Sequence, residues 1–452
     1  MSDDSVTWLT VDEVRQVTGA THEVGEGQLF FSTTDRGGVI TSANSVFVDV
    51  ARFPRQELIG SPHSIVRHPD TPSGCFKLLW EEIQAGRPFC WYVKDLARDG
   101  STVTLFATIT PVADAYLSVR GRPLRPDLSE KALALYQATR PVELAAHARG
   151  VNRRGTAAVG LDKLGELLDE AGYGVYDEFQ WTALLAETEA RAAVPAAWTE
   201  QPGVAGPLAD MRDCYQTLTA ELRGWSGHCT AIADKTKALS EAAGHVVAAL
   251  DAVARAAAAE PAASPAVGPG ASPAAPFAVF RLAQASSIVK ALVEHLPEAR
   301  RCCREASTWV ALAELHTDAL GQFVAELTDD GGDGGDRDSV GQLCQALDLD
   351  FTRVSELSEQ NAADAATLVH ELGRARALVA AALSDIARRP AIDAAATDVV
   401  ARLQAQLVEV EAGLESIARL AGDVRALSQP QDTRLAEIQI ARLQELMDSL
   451  AK

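Results

Sequence analysis

Residues 28–120 read as an α+β domain, an antiparallel sheet with helices on one face, and the remainder of the 452-residue chain reads as mainly α-helical, a bundle or coiled coil. Three observations carry this. Two pairs of β-rich runs are each joined by a turn signal. Alanine and leucine rise and strand signals vanish after about residue 123. Apolar residues from 400 to 427 recur at steps of three and four.

The first pair is QLFFST (28–33) and VITSAN (39–44), separated by DRGG, whose glycines tolerate the positive φ of a tight turn. Phe76, Leu79, Trp80 and Ile83 follow at i, i+3, i+4 and i+7, one apolar helix face. The second pair, Phe89–Leu96 and Thr102–Val112, flanks ARDGS, where Asp99-Gly100 is a hairpin signal, and AYLSVR (115–120) is the last strand. Residues 122–126 read as a hinge before an alanine-rich helix near 129–138. Residues 141–203 read as shorter helices broken by glycine and proline, with Trp181 and Trp198 packed inside.

Long helices are expected over 205–260, 276–328, 338–388, 391–428 and 431–451. The first two are parted by EPAASPAVGPGASPAAP, too rich in proline and glycine for a helix and read as an extended linker. DDGGDGGDRD (329–338) lacks the alternating ligands and closing glutamate of a calcium loop, so it reads as a solvated turn. Val400, Leu403, Leu407, Val410, Leu414, Ile417, Leu420, Val424 and Leu427 form a seam that needs a partner helix, from the same chain or from a second copy. The expected segmentation is an extension (1–21), the α+β domain (22–122), a helical connector (123–203), a long helix (204–258), a linker (259–276) and a helical output region (277–452).

With 41 Lys plus Arg against 62 Asp plus Glu, the net charge of −21 disfavours nucleic-acid and anionic-membrane binding, and no local basic patch offsets it. Seven scattered cysteines without a C-x-x-C pair argue against a disulfide framework and a zinc site. The acidic start MSDDSVTWLT is unlike a secretory signal. No apolar run reaches the ~20 residues of a membrane span, and even 246–259 carries Asp251 and Arg255. A cytoplasmic protein with no membrane span is expected.

The densest chemistry lies in residues 60–72, GSPHSIVRHPDTP, where prolines limit the backbone and Arg67, His68 and Asp70 stand close together. This loop does not stand alone. STTD (32–35), ITSAN (40–44) followed by Phe47, QELIGSPH (56–63), VRHPDTP (66–72), Phe76 with Trp80, Val93-Lys94 and YLSVR (116–120) together resemble the PAS sensor domain of the bacterial aerotaxis receptor family, over residues 31–122. The resemblance implies a PAS fold that binds FAD without a covalent bond and reads redox state as flavin oxidation state. It implies cofactor-binding or signalling roles for Asn44, Arg67, His68, Asp70, Phe76 and Trp80. In that reading Arg67 binds a phosphate or flavin oxygen by paired donors, His68 donates to the cofactor, Asp70 orients Arg67 or His68, and Trp80 is an aromatic wall. Two further positions of the expected site depart from the family: Phe89 stands where it has Trp, and Asp95 where it has Asn.

Other motifs carry less. HELGR (370–374) lacks the proline of a phospho-acceptor box, His228-Cys229 has no second ligand pair, and Cys90 lacks the surroundings of a photoreactive cysteine. A haem on His63 or His68 ranks below a structural role. No catalytic constellation is present at motif strength, so an enzyme is not expected. The function expected is a sensor that relays redox or oxygen state through long helices to a signalling partner of chemotaxis type, as a homodimer. The alternative is a scaffolding coiled-coil protein whose PAS domain dimerises without a ligand.

Overall fold

The computed structural model describes residues 16–194, 206–258, 274–330, 337–388 and 394–450. They fold as two compact units, one from Met1–Gly224, Thr308–Arg353 and Thr433–Lys452, the other from Trp225–Ser307 and Val354–Asp432.

The first unit holds a five-stranded antiparallel sheet: β1 Leu29–Asp35, β2 Ile40–Ala43, β3 Phe89–Leu96, β4 Thr102–Val112 and β5 Ala115–Gly121, in the order β2-β1-β5-β4-β3. Both expected hairpins form. The Asp35 carboxylate accepts from the amides of Gly37 (2.8 Å) and Val39 (2.9 Å) across the first turn, where Gly38 has φ of 80°. Gly100 takes the same φ of 80° in the second. No local pattern announces the central pairing of β1 with β5, which joins the first strand to the last.

Helices α1 Ser45–Ala51, α2 Arg55–Leu58 and α3 Ser73–Gln84, with a 3-10 turn at His63–Val66, complete the α+β domain. Phe30, Phe47, Leu58, Val66 and Leu105 are in its core.

Three connector helices follow: α4 Pro126–Ala148, α5 Arg153–Glu170 and α6 Tyr176–Ala192. They correct one expectation. Pro141 does not break its helix: α4 runs through it, because the face carrying Leu128, Ala132, Tyr136, Glu143 and Ala146 stays buried and outweighs one lost backbone bond. At 122–126, where a hinge is expected, the Leu124 and Arg125 amides donate to the Glu187 carboxylate on α6 at 2.8 and 3.0 Å. Trp181 is buried as expected. Trp198 lies outside the described residues.

The connector also covers the open edge of β3. The Tyr176 hydroxyl bonds both the amide (3.0 Å) and the carbonyl (3.1 Å) of Cys90, and the Tyr136 hydroxyl donates to the Tyr92 carbonyl at 2.6 Å. An exposed strand edge invites pairing with another chain; two tyrosines occupy this one.

The long helices are α7 Pro207–Ala258, α8 Ala274–Asp330, α9 Arg337–Ala387, α10 Ala394–Leu427 and α11 Arg434–Leu450. Within the first unit, Phe323 of α8 meets Phe31 of β1 at 6.0 Å, and buried His316 bridges Thr110 of β4 (3.3 Å) and Asp350 of α9 (2.6 Å). Burial pushes the Asp350 carboxyl above its ordinary pKa, while the imidazole opposes that shift. Within the second unit, the α10 seam of Leu403, Leu407, Val410, Leu414 and Ile417 packs with apolar residues of α7, α8 and α9. The partner of the seam is therefore in the same chain. Among the described residues no helix is long and apolar enough to cross a membrane. The expected linker falls mostly outside them, and so does the centre of the acidic turn.

Candidate functional site

An apolar cavity of about 110 Å³ lies between α3, the 62–67 loop and the inner face of the sheet. The helical spacing that predicts α3 also explains its wall, since Phe76, Leu79, Trp80 and Ile83 all line the cavity. Opposite them stand Val93, Ala107, Ile109 and Tyr116, with Trp80 and Tyr116 edge to face at 5.8 Å.

Gly38 forms part of the rim. A Cβ there would meet the Trp80 ring at 3.1 Å, and its φ of 80° disfavours other residues. Gly38→Ala should therefore lower stability by about 1–2 kcal/mol, read as a lower denaturant midpoint at unchanged slope.

Polar groups stand at two places. Arg67 lies over the Phe76 ring at 4.1 Å and donates to the Ser73 hydroxyl at 3.2 Å. Burial, with nearby Arg140, lowers its pKa to about 10. Elsewhere on the wall, Arg120 donates to the Asp95 carboxylate at 2.5 Å and to the Ser118 hydroxyl at 3.0 Å. His63 also lines the cavity and bonds Ser32 at 3.1 Å; burial and then Arg120 hold its pKa well below the ordinary value, so the ring is neutral at neutral pH.

Of the expected site residues, the fold brings Arg67, Phe76, Trp80 and Asp95 to this cavity. The other four sit elsewhere. Asn44 caps α1, its side-chain oxygen accepting from the amides of Phe31 (3.1 Å) and Phe47 (3.2 Å). His68 is buried, with Nδ1 accepting from the Asp70 amide at 3.1 Å and Nε2 bonded to Thr102 at 3.1 Å, and burial lowers its pKa. Asp70 is exposed and pairs with Lys94 at 3.3 Å. Phe89 stacks on Tyr176 at 5.3 Å under the connector.

Tyr116, Ser118 and Arg120 were missed as wall residues, although strand alternation across YLSVR puts all three on one face.

Residues 30–124 match the family model of the PAS fold. This segment is a PAS domain. Over 111 residues the chain is 34% identical to the aerotaxis receptor of Escherichia coli, covering 24% of this chain and 22% of the receptor. Over 81 residues it is 32% identical to the biofilm dispersion protein BdlA of Pseudomonas aeruginosa, covering 18% of this chain and 19% of that protein. The chain thus spans about a fifth of the length of the curated relatives it matches. Neither relative is named as an enzyme. A solved structure titled for a flavin analogue and the mechanism of a light-oxygen-voltage domain covers 21% of this chain and 77% of its own, at 18% identity and a TM-score of 0.20.

Proposed function

We propose that the PAS domain holds FAD in the α3-to-sheet cavity and that the chain is a redox or oxygen sensor. The observation that carries this reading is the lining: Phe76, Trp80, Tyr116 and Ile109 suit a flat apolar ring, while Arg67, Ser118, Arg120 and His63 suit its oxygens and nitrogens. The identity of this segment to an aerotaxis receptor supports it. A bound flavin supplies reversible electron uptake. The chain's own task is to bind and orient it and to exclude water. Arg67 supplies paired donors; Trp80 and Phe76 form the wall; Asp95 acts through Arg120. Asn44, His68, Asp70 and Phe89 hold the frame around these groups.

The proposed relay leaves the sheet by the Phe31 to Phe323 contact and the Thr110, His316 and Asp350 chain, and passes along the long helices. The partner proposed is a chemotaxis-type signalling protein in the cytoplasm, met by a homodimer. A second reading, a PAS module that binds nothing, is favoured by one observation: Asp95 and Arg120 already satisfy each other.

The purified chain should show flavin absorption and release FAD on denaturation. Arg67→Ala should lower the flavin-to-protein ratio several-fold while costing the cofactor-free chain only about 1 kcal/mol for the lost Ser73 and Phe76 contacts. A colourless chain that takes up no offered FAD would establish the second reading.

A further inference from the structure

A second, smaller cavity of about 30 Å³, room for one water, lies among α6, α7 and α8 of the first unit. Thr188 and Arg191 of α6, Thr219 and Arg223 of α7, and Glu314, Thr317 and Asp318 of α8 line it. Glu314 and Asp318 are four apart on one helix face, where like charges repel. The hydroxyl of Thr317, a residue 1% exposed, has no hydrogen-bond partner there. The charged groups that act on Glu314 are Asp318 on α8 and Arg223 on α7; Arg191 on α6 and Tyr215 on α7 act on Asp318, the Tyr215 hydroxyl donating to it at 3.0 Å, and Glu187 on α6 acts on Arg191.

We propose that this cluster is a proton-binding site that sets how tightly α6 and α8 hold each other, so that the chain responds to ambient pH as well as to its PAS cavity. Proton uptake turns the Glu314 carboxylate into a neutral acid. That removes the repulsion with Asp318 and gives the cavity a donor for an unpartnered threonine oxygen. Burial, with the Asp318 charge second, pushes the Glu314 carboxyl up to about 7 from 4.5. The packed form therefore binds a proton that the unfolded chain does not bind between these values. Its advantage grows as pH falls from 7 toward 4.5 and is lost as pH rises through 7. The route to the sheet is short: Glu187, beside Thr188 on α6, accepts from the Tyr92 hydroxyl of β3 at 2.9 Å.

The test uses the full chain and is independent of flavin. Hydrogen–deuterium exchange of α6 and α8 peptides, corrected for the intrinsic rate, should show up to about tenfold stronger protection at about pH 6 than at about pH 8, with α10 as the reference. Glu314→Gln, which cannot ionise, should abolish that difference and be protected at both values. Equal protection of the parent at both pH values would overturn the proposal, as would a Glu314→Gln chain that keeps the difference. Should that variant fail to fold, the comparison in the parent decides.

Discussion

Gly74→Ala is expected to destabilise the first unit by about 3 kcal/mol or more. Gly74 is in the first turn of α3, and a Cβ there would come within 2.4 Å of the backbone of Gly160 and Leu161 on α5. Backbone cannot yield as a side-chain tip does, so the two helices must part. The same junction carries a second contact that parting would break. α3 starts after Pro72, which offers no capping side chain, and the Ser73 and Gly74 amides donate instead to Glu143 of α4, at 3.0 and 2.8 Å. Glu143 is fully buried and paired with Arg140 at 3.0 Å. A carboxylate at a helix N-terminus satisfies orphan donors and complements the helix dipole. Gly165→Ala is the control: it lies in α5 with nothing within 4 Å of the added Cβ, and should raise stability by about 0.5–1 kcal/mol through helix propensity alone. Urea midpoints at constant slope measure both. If the two variants moved together, α3 would not be docked on α5.

This junction also marks where sequence reasoning stopped. Phe89–Leu96 and Thr102–Val112 are observed with the bounds expected of them, and the α3 wall followed from four apolar positions, because a turn signal and a helical period are local. That Glu143 would cap a helix 70 residues earlier is not local. Neither is Glu187, which accepts from the Leu124 and Arg125 amides just ahead of α4 and binds Tyr92 as well. Both look in sequence like ordinary polar positions of amphipathic helices.

The VRHPDTP loop shows the same limit at the site. Its density of polar side chains suggested a single cluster about a ligand, yet the backbone sends them three ways: Arg67 to the cavity, His68 inward to Thr102, and Asp70 outward to Lys94. Composition marks a loop as special, but only the φ and ψ path through its prolines decides which side chains share a direction.

Asp95→Ala should cost about 3 kcal/mol, because it strands Arg120 beside the cavity with its partner removed. The Asp95 and Arg120 side chains are 12% and 10% exposed, so solvent screens the loss little. Asp95→Asn should cost less, since an amide oxygen still accepts from the guanidinium. The double variant Asp95→Leu with Arg120→Met should recover much of the loss, as apolar replacements of buried pairs do. A double-mutant cycle on denaturant midpoints separates the pair energy from the individual truncations. A cost for Asp95→Ala below about 1 kcal/mol would instead place the pair among solvent-screened surface bridges. The pair also bears on the departure from the aerotaxis pattern at this position. A lone carboxylate facing a flavin would repel added electron density, but one matched by Arg120 at 2.5 Å brings little net charge to the cavity wall. Acid for amide at residue 95 is therefore compatible with the proposed flavin, provided Arg120 is kept. Arg120→Met alone, which leaves the carboxylate unmatched, should lower flavin content more than Asp95→Asn does. Equal flavin content in the two variants would show that charge at this wall does not govern binding.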